Sequence, residues 1–387
     1  MVTMTHIERV IAAMNFEEPD MVPMDVSFMD VIHMERVTGK KAYGAKSGAV
    51  IGATGETGEV DYNTMIMTNQ KLENEARMKM DLDFLVVSDY KVFPEGYSHK
   101  FIDSTTYVDL WGKQYKIKQE AKTTWWVDGT IKTPEDLDKL KARFPSPNEF
   151  NYDIVDLTVE EAEKNDYPVL AWIHQGMMFP YLMIGGIQKM VVAIYRQPDF
   201  AKDLIKFVGD TNYEITKRIL DRGKNQIVVV ADSDDIAGKM PFYTPKNFEE
   251  FYLPYLKRVV AEAHSRNMKY FKHSDGNLYP YLDFFVDIGV NGLHPLEPPY
   301  MTMADMKHHE KYSDKFFLRG NVDCGELLIR GTEEQVRQDV RRCIDEAAKG
   351  GGFILADSNS LHSVVNTQNA LWFFDEGRKY GRKGVGY

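Results

Sequence analysis

Cysteine is nearly missing from this 387-residue chain. Cys324 and Cys343 are the only two, too few for a disulfide framework, and they fit a reducing compartment. Positive charge is in deficit as well: 47 Lys and Arg face 58 Asp and Glu, for a net charge of −11. With no surplus of cations to meet a phosphate backbone, nucleic acid is excluded as a partner. Long apolar runs are lacking too. Stretches such as IVVVA (Ile227 to Ala231) fall far below the ~20 residues a membrane span needs. The opening MVTMTHIERVIAAMNFEEPD carries acids where a secretory signal would be apolar. A soluble, cytoplasmic protein without membrane contact is therefore expected. There is no internal repeat, no low-complexity segment and no Gly-x-Gly-x-x-Gly after a strand, which speaks against an open dinucleotide-binding sheet.

What is present is an ordinary globular composition, 43% apolar and 27% charged, read as a single domain over residues 1–387. Methionine (20), tyrosine (21) and phenylalanine (21) are frequent, as a Met-rich core or an aromatic-lined cavity requires. Ile7, Val10, Ile11 and Met14 share one face of a helix expected over Thr5 to Asn15. Met21 to Asp30 alternates like a strand, Gly39 to Gly58 reads as a loop, and about 95–130 reads as a β-meander insertion. Thr133-Pro134-Glu135-Asp136 is a helix start, with a capping hydroxyl, Pro in the first turn, and acids facing the positive helix end.

Beyond Pro168, apolar strands alternate with amphipathic helices: PVLAWIHQG, a helix from Asp199 to Arg222, QIVVVADSDD, a helix from Thr244 to about Ser265, KYFKHSDGN, NGLHPLEP, FFLRGNVDCG, a helix capped by Thr332 and Gln335, GGFILADSNS, and a last helix over Thr367 to Lys379. This order predicts an α/β fold, a (β/α)8 TIM barrel with an N-terminal extension and the meander inserted. Polar residues collect at the predicted C-terminal strand ends: Asp232 and Asp234, His273 and Asp275, Glu297, Asn321 and Cys324, Asp357 and Asn359. In a barrel those ends converge on one mouth, where chemistry is placed. Phe28, Met29, Trp172, Met177, Met178, Phe179, Tyr181, Phe242 and Tyr243 fall in segments around that mouth and could wall a pocket for a ring. Cys343, in helical register with Val336, Val340 and Ile344, reads as core.

The segments HSDGNLYPYLDFFVDIGVNGLHPLEP, LRGNVDCGELLIRGTEEQVRQDVRRCID and GGFILADSNSLHSVVNTQNAL resemble the C-terminal half of the uroporphyrinogen decarboxylase superfamily. That superfamily contains decarboxylases and corrinoid-dependent methyltransferases. Decarboxylases carry an arginine-bearing segment after the first strand, whereas VPMDVSFMDVIHMERVTG offers acids, methionines and Phe28 there, and an acidic field repels a polyanion. The resemblance is therefore closer to the methyltransferase branch. Thiol-methylating members of that branch bind zinc through His-x-Cys and a later Cys. Here Asp275 replaces the first cysteine and Asn359 stands about where the later one would be.

By that resemblance the chain is expected to act as a methoxyarene O-demethylase-like methyltransferase. It would move a methyl group from a methoxylated, aromatic donor to cobalamin carried by a partner corrinoid protein, and it is compatible with a homodimer. An aryl ether leaves poorly unless its oxygen meets a proton or a Lewis acid, which calls for a metal ion. His273, Glu297 and Cys324 are the expected ligands: one imidazole, one carboxylate and one thiolate suit Zn2+. Asp232, Asp275 and His362 are expected to complete or orient this set, and His362, Asn321 and Asn359 to contact substrate. Two rival readings are methyl transfer from methylcobalamin to a thiol or tetrahydrofolate, and a non-catalytic barrel that binds a small ligand. The concentration of costly polar groups at one mouth weighs against the latter.

Overall fold

The computed structural model describes residues 3–43, 62–118, 123–174 and 176–387; the expected Gly39–Gly58 loop lies outside them from residue 44 onward. Thirteen strands appear among these residues. They are β1 (Leu85–Ser88), β2 (Phe93–Pro94), β3 (Lys100–Phe101), β4 (Thr106–Val108), β5 (Lys113–Lys118), β6 (Thr123–Gly129), β7 (Phe150–Asn151), β8 (Val169–Ile173), β9 (Ile227–Asp232), β10 (Lys269–His273), β11 (Gly292–His294), β12 (Phe317–Val322) and β13 (Phe353–Asp357). Seven form one parallel sheet in the order β1-β8-β9-β10-β11-β12-β13, helices filling the crossovers as parallel pairing requires. β3 to β6 make the expected meander, a four-stranded antiparallel sheet, and β2 pairs with β7.

The eight-stranded barrel read from the sequence differs from this in one respect. Met21 to Asp30, expected as a strand, makes only isolated bridges, Met21 with Arg382, Met24 with Leu355 and Met29 with Leu361. Pro23 lacks the N–H that a continuous ladder would use, though its carbonyl still accepts from Leu355. The segment nonetheless touches both edges of the sheet. Met24 is bridged to β13, and its carbonyl accepts from the Asp83 N–H just before β1, at 2.7 Å. The sheet is thus curled, its edges brought to a common segment by a few backbone bonds rather than by a regular eighth strand. Buried Asp25 of that segment binds Arg77 at 3.0 Å and Arg319 at 2.7 Å, so three distant parts of the chain meet on one carboxylate.

Inside the curl, Phe84, Val86, Leu170, Trp172, Val229, Ala231, Phe271, Phe317 and Ile354 pack as an apolar layer. Val10, Ala13 and Met14 of the helix His6–Met14 belong to the same cluster and close it from the N-terminal side. That helix carries the capping box its sequence predicts, with Thr5 and Glu8 reciprocally bonded. Thr133 with Asp136 and Thr332 with Gln335 do likewise. The expected Thr244–Ser265 helix is two helices, Pro245–Phe251 and Leu253–Ser265, since Pro254 cannot continue the hydrogen-bond ladder of the first. No single helix among the described residues is long and apolar enough to cross a membrane.

Candidate active site and metal centre

Side chains two residues apart along a strand share a face. Two positions beyond the apolar layer stand His174 after Trp172, Ser233 after Ala231, His273 after Phe271, and Arg319 after Phe317, with His294 ending β11. The layer therefore hands over to a ring of polar groups at the C-terminal strand ends. Ser233 Oγ lies 2.7 Å from His174 Nε2, whose Nδ1 is 2.8 Å from Asp89.

At the centre of this ring two imidazoles meet, with His273 Nδ1 2.6 Å from His294 Nδ1. The protons in this pair can be placed from their partners. His294 Nε2 lies 3.2 Å from both the carbonyl oxygen of Asp357, which only accepts, and Ser27 Oγ, which already accepts from Arg319 and can accept again, so a hydrogen on Nε2 satisfies both partners. A neutral His294 then has a bare Nδ1, and His273 Nδ1–H donates to it. His273 is left with a lone pair on Nε2. Both rings are neutral, since burial and the nearby cations Lys272 and Arg319 for His273, and burial and Arg319 for His294, hold their pKa values well below the usual range.

That lone pair faces acids. Asp235 Oδ1 is 3.6 Å from His273 Nε2, and Asp235, His273 and Asp275 each present one donor atom within 4.8 Å of the others. Asp275 Oδ2 accepts from Asn359 at 3.1 Å, while its Oδ1 is buried without a hydrogen-bond partner. Burial, then Asp235 and Glu297, push the Asp275 carboxyl up to about 7, and burial raises Asp235 as well. Glu297 Oε2 accepts from the Gly276 N–H at 2.7 Å. Gly276 sits at φ +84°, and a Cβ there would stand 2.2 Å from the Gly238 carbonyl oxygen, so only glycine allows this close approach. Carboxylate oxygens and an imidazole lone pair gathered this closely repel one another unless a cation or proton lies between them. Two carboxylates and an imidazole fit a divalent cation, zinc included.

Two cavities meet at this cluster. One, of about 280 Å³, is lined by Phe28, Tyr90, Phe93, His99, Tyr107 and Tyr115 together with Asp109, Lys113, Asp235, His273 and Asn359. The other, of about 650 Å³, has Asp275, Glu297, Asn321, Cys324, Arg342 and Asn359 among its walls. Asn359 belongs to both.

The residues singled out from sequence are distributed unevenly around this site. His273 and Asp275 are in the convergent set. Glu297 and Cys324, expected beside His273 as metal ligands, are not; they line the larger cavity instead. Cys324 Sγ accepts from Ser358 Oγ at 3.3 Å, and burial pushes its thiol up to about 11. Asp232 points away from the mouth, binding buried Lys272 and accepting from Tyr270 Oη at 2.7 Å. Asp234 accepts from the backbone N–H groups of Met177 and Met178. Asn321 donates to the Leu296 carbonyl at 2.8 Å and faces the larger cavity. His362 Nε2 donates to the Cys324 carbonyl at 3.1 Å.

Of the expected aromatic and Met wall, Phe28 lines the smaller cavity. Trp172 is wholly buried beneath it in the apolar layer, Met29 is buried, and Phe179 stacks on His174. Met178 and Tyr181 pack against the main core, Tyr181 edge-on to Phe242. Sequence reasoning missed Asp235, His294, His174, and the Tyr, His and Lys side chains of the meander. The period-2 offset from Trp172 and Phe271 could have found His174 alongside His273. His294 ends the strand in NGLHPLEP, where Glu297 is the more conspicuous polar residue.

Comparisons with known proteins agree with this architecture. A solved structure, a methyltransferase from Methanosarcina mazei, superposes with a TM-score of 0.68 over 97% of this chain and 99% of its own, at 17% identity. In sequence the chain is similar to methylcobamide:CoM methyltransferase MtbA of Methanosarcina acetivorans, 22% identical over 254 residues, which is 63% of this chain and 69% of that protein. It is also similar to uroporphyrinogen decarboxylase of Thioalkalivibrio sulfidiphilus, 24% identical over 144 residues, 36% of this chain and 39% of that protein. The uroporphyrinogen decarboxylase (URO-D) family model matches residues 100–380. With well over half its length so matched, the chain belongs to the uroporphyrinogen decarboxylase family.

Proposed function

We propose that this protein is a corrinoid-dependent methyltransferase, taking a methyl group from a methoxylated aromatic compound and passing it to a corrinoid protein. The observation that carries the reading is the convergence of Asp235, His273 and Asp275 on a cavity walled by aromatic rings. A divalent cation such as Zn2+ held by these three residues would supply Lewis-acid polarisation of the ether oxygen, so that the phenolate can leave. The chain's own groups do the rest. His294 accepts the His273 Nδ1 proton and keeps Nε2 free to ligate, the outer-shell bond that ligating histidines ordinarily make. Asn359 fixes Asp275 through its Oδ2. The rings of Phe28, Tyr90 and Tyr115 hold an aromatic substrate and keep water from it. At about 280 Å³ the cavity suits a single substituted ring.

The decarboxylase alternative asks for several cations to meet a polycarboxylate. Among the described residues, Lys113 is the only lysine or arginine lining the smaller cavity, and Arg342 the only one lining the larger. The similarity to MtbA favours a second reading, methyl transfer to a thiol, but the convergent donors are two oxygens and a nitrogen rather than thiolates. The test is to mix the purified, metal-supplied protein with cob(I)alamin and a panel of methoxybenzenes and follow consumption of cob(I)alamin. Turnover by the wild type, reduced to background in His273→Ala, is expected. Undiminished turnover in His273→Ala would overturn the site assignment. Failure with every ether, with activity on a tetrapyrrole instead, would overturn the function.

A further inference from the structure

One charged group in the smaller cavity has no part in the chemistry above. Lys113 begins β5 and is only 2% exposed. Asp109, four residues earlier, holds the turn: its Oδ1 accepts from the N–H groups of Trp111 and Lys113 at 3.0 and 2.8 Å. Its Oδ2 lies 3.4 Å from the Lys113 ammonium, longer than the about 2.8 Å of a charge-assisted hydrogen bond. The ammonium otherwise contacts rings, while the carboxylates of Asp89 and Asp234 act on it electrostatically. It stands 3.3 Å from the centroid of Phe179 and 5.9 Å from those of Tyr90 and Tyr115. An ammonium has three donors, and one long contact to a carboxylate plus cation–π attraction leaves it underused for a group this buried. Burial lowers the Lys113 pKa and raises that of Asp109, as it would for a pair that only partly neutralises itself. Lys113 and Asp109 line the same cavity as His273 and Asp235.

We propose that Lys113 receives an acidic oxygen borne by the substrate ring, which makes the inserted meander the element that selects methoxylated phenols or benzoates over neutral methoxyarenes. This rests on the methyltransferase reading. It adds a second anchor: the ether oxygen belongs at the Asp235–His273–Asp275 cluster, and the acidic substituent at Lys113. Phenol and carboxylate share the chemistry that Lys113 would recognise, a charged or strongly hydrogen-bonding oxygen.

The test measures ligand binding and needs no turnover. Titration calorimetry would compare two matched pairs: 4-methoxyphenol against 1,4-dimethoxybenzene, and 4-methoxybenzoate against its methyl ester. The wild type is expected to bind the acidic member of at least one pair about tenfold tighter, and the pair that shows it identifies the substituent. Lys113→Gln should reduce the preference to within about twofold, and Lys113→Arg should keep it. Lys113→Met, which retains packing on Phe179, serves if the Gln variant does not fold, and the wild-type comparison decides if neither does. Equal binding within both pairs, or an intact preference in Lys113→Gln, would overturn the inference and leave the methyltransferase reading standing. Failure of the wild type to bind any of the four rings would instead strike that reading, and this inference with it.

Discussion

The Nδ1 atoms of His273 and His294 lie 2.6 Å apart, so one proton is shared between two neutral rings, and the Asp357 carbonyl and Ser27 hydroxyl at His294 Nε2 favour leaving it on His273. His294 thereby acts on the cluster without touching it. It sets the tautomer that leaves His273 Nε2 unprotonated and facing Asp235.

Replacing His294 by Phe keeps the ring volume but removes the acceptor, so His273 loses its preferred tautomer. Divalent-metal affinity, measured by competition with a chromogenic chelator, should fall about 10- to 100-fold. His294→Gln, whose amide oxygen can accept the same proton, should recover part of it. Unchanged affinity in the Phe variant would remove His294 from this role.

Asp275 makes stability depend on pH with a defined sign. Its carboxyl titrates at about 7 in the fold and near 3.8 when unfolded. Between those values the folded state holds more protons, so the stability that Asp275 contributes is intact below about 4 and lost as pH rises through 7. In chelator-treated protein, Asp275→Asn should gain Tm relative to wild type across that window, by on the order of a few degrees, and level off above it. Thermal unfolding at pH 4, 5.5, 7 and 8.5 reads this. A difference that shrinks with rising pH would contradict it.

Asp232 and Lys272 are both fully buried and paired, which makes Asp232 a structural residue. Asp232→Ala strands the ammonium and should cost about 3–5 kcal/mol, whereas Asp232→Leu combined with Lys272→Met should be far closer to wild type. Chemical denaturation of the single and double variants checks this. Additive losses would show that the pair is not coupled.

Cys324 lies outside the convergent donors, its sulfur held by the Ser358 hydroxyl. Cys324→Ala should leave metal stoichiometry at the wild-type value and cost about 1 kcal/mol of packing. Elemental analysis of the purified variant would show otherwise if the thiolate were a ligand.

The strand ends and their polar residues were legible because parallel strands are apolar throughout and stop abruptly at polar residues, as IVVVAD and FILAD do. Which of several consecutive acids turns inward was not. In Asp232-Ser233-Asp234-Asp235 the outcome depends on Lys272, one strand away, claiming Asp232, and on the loop beyond β9 swinging Asp235 over His273. The meander was legible as an element, but its docking, which brings Tyr107, Lys113 and Tyr115 to the mouth, depends on contacts that local pattern does not encode. The irregular eighth segment was misread because its alternation is that of a strand, while Pro23 breaks the ladder.

Metal binding tests most directly whether Asp235, His273 and Asp275 hold a cation together. Titrating chelator-treated protein with Co2+ and following its d–d absorption should give one ion per chain with nitrogen and oxygen ligation in the wild type, lost in Asp235→Asn and in His273→Ala. An unchanged spectrum in both variants, or none in the wild type, would contradict it.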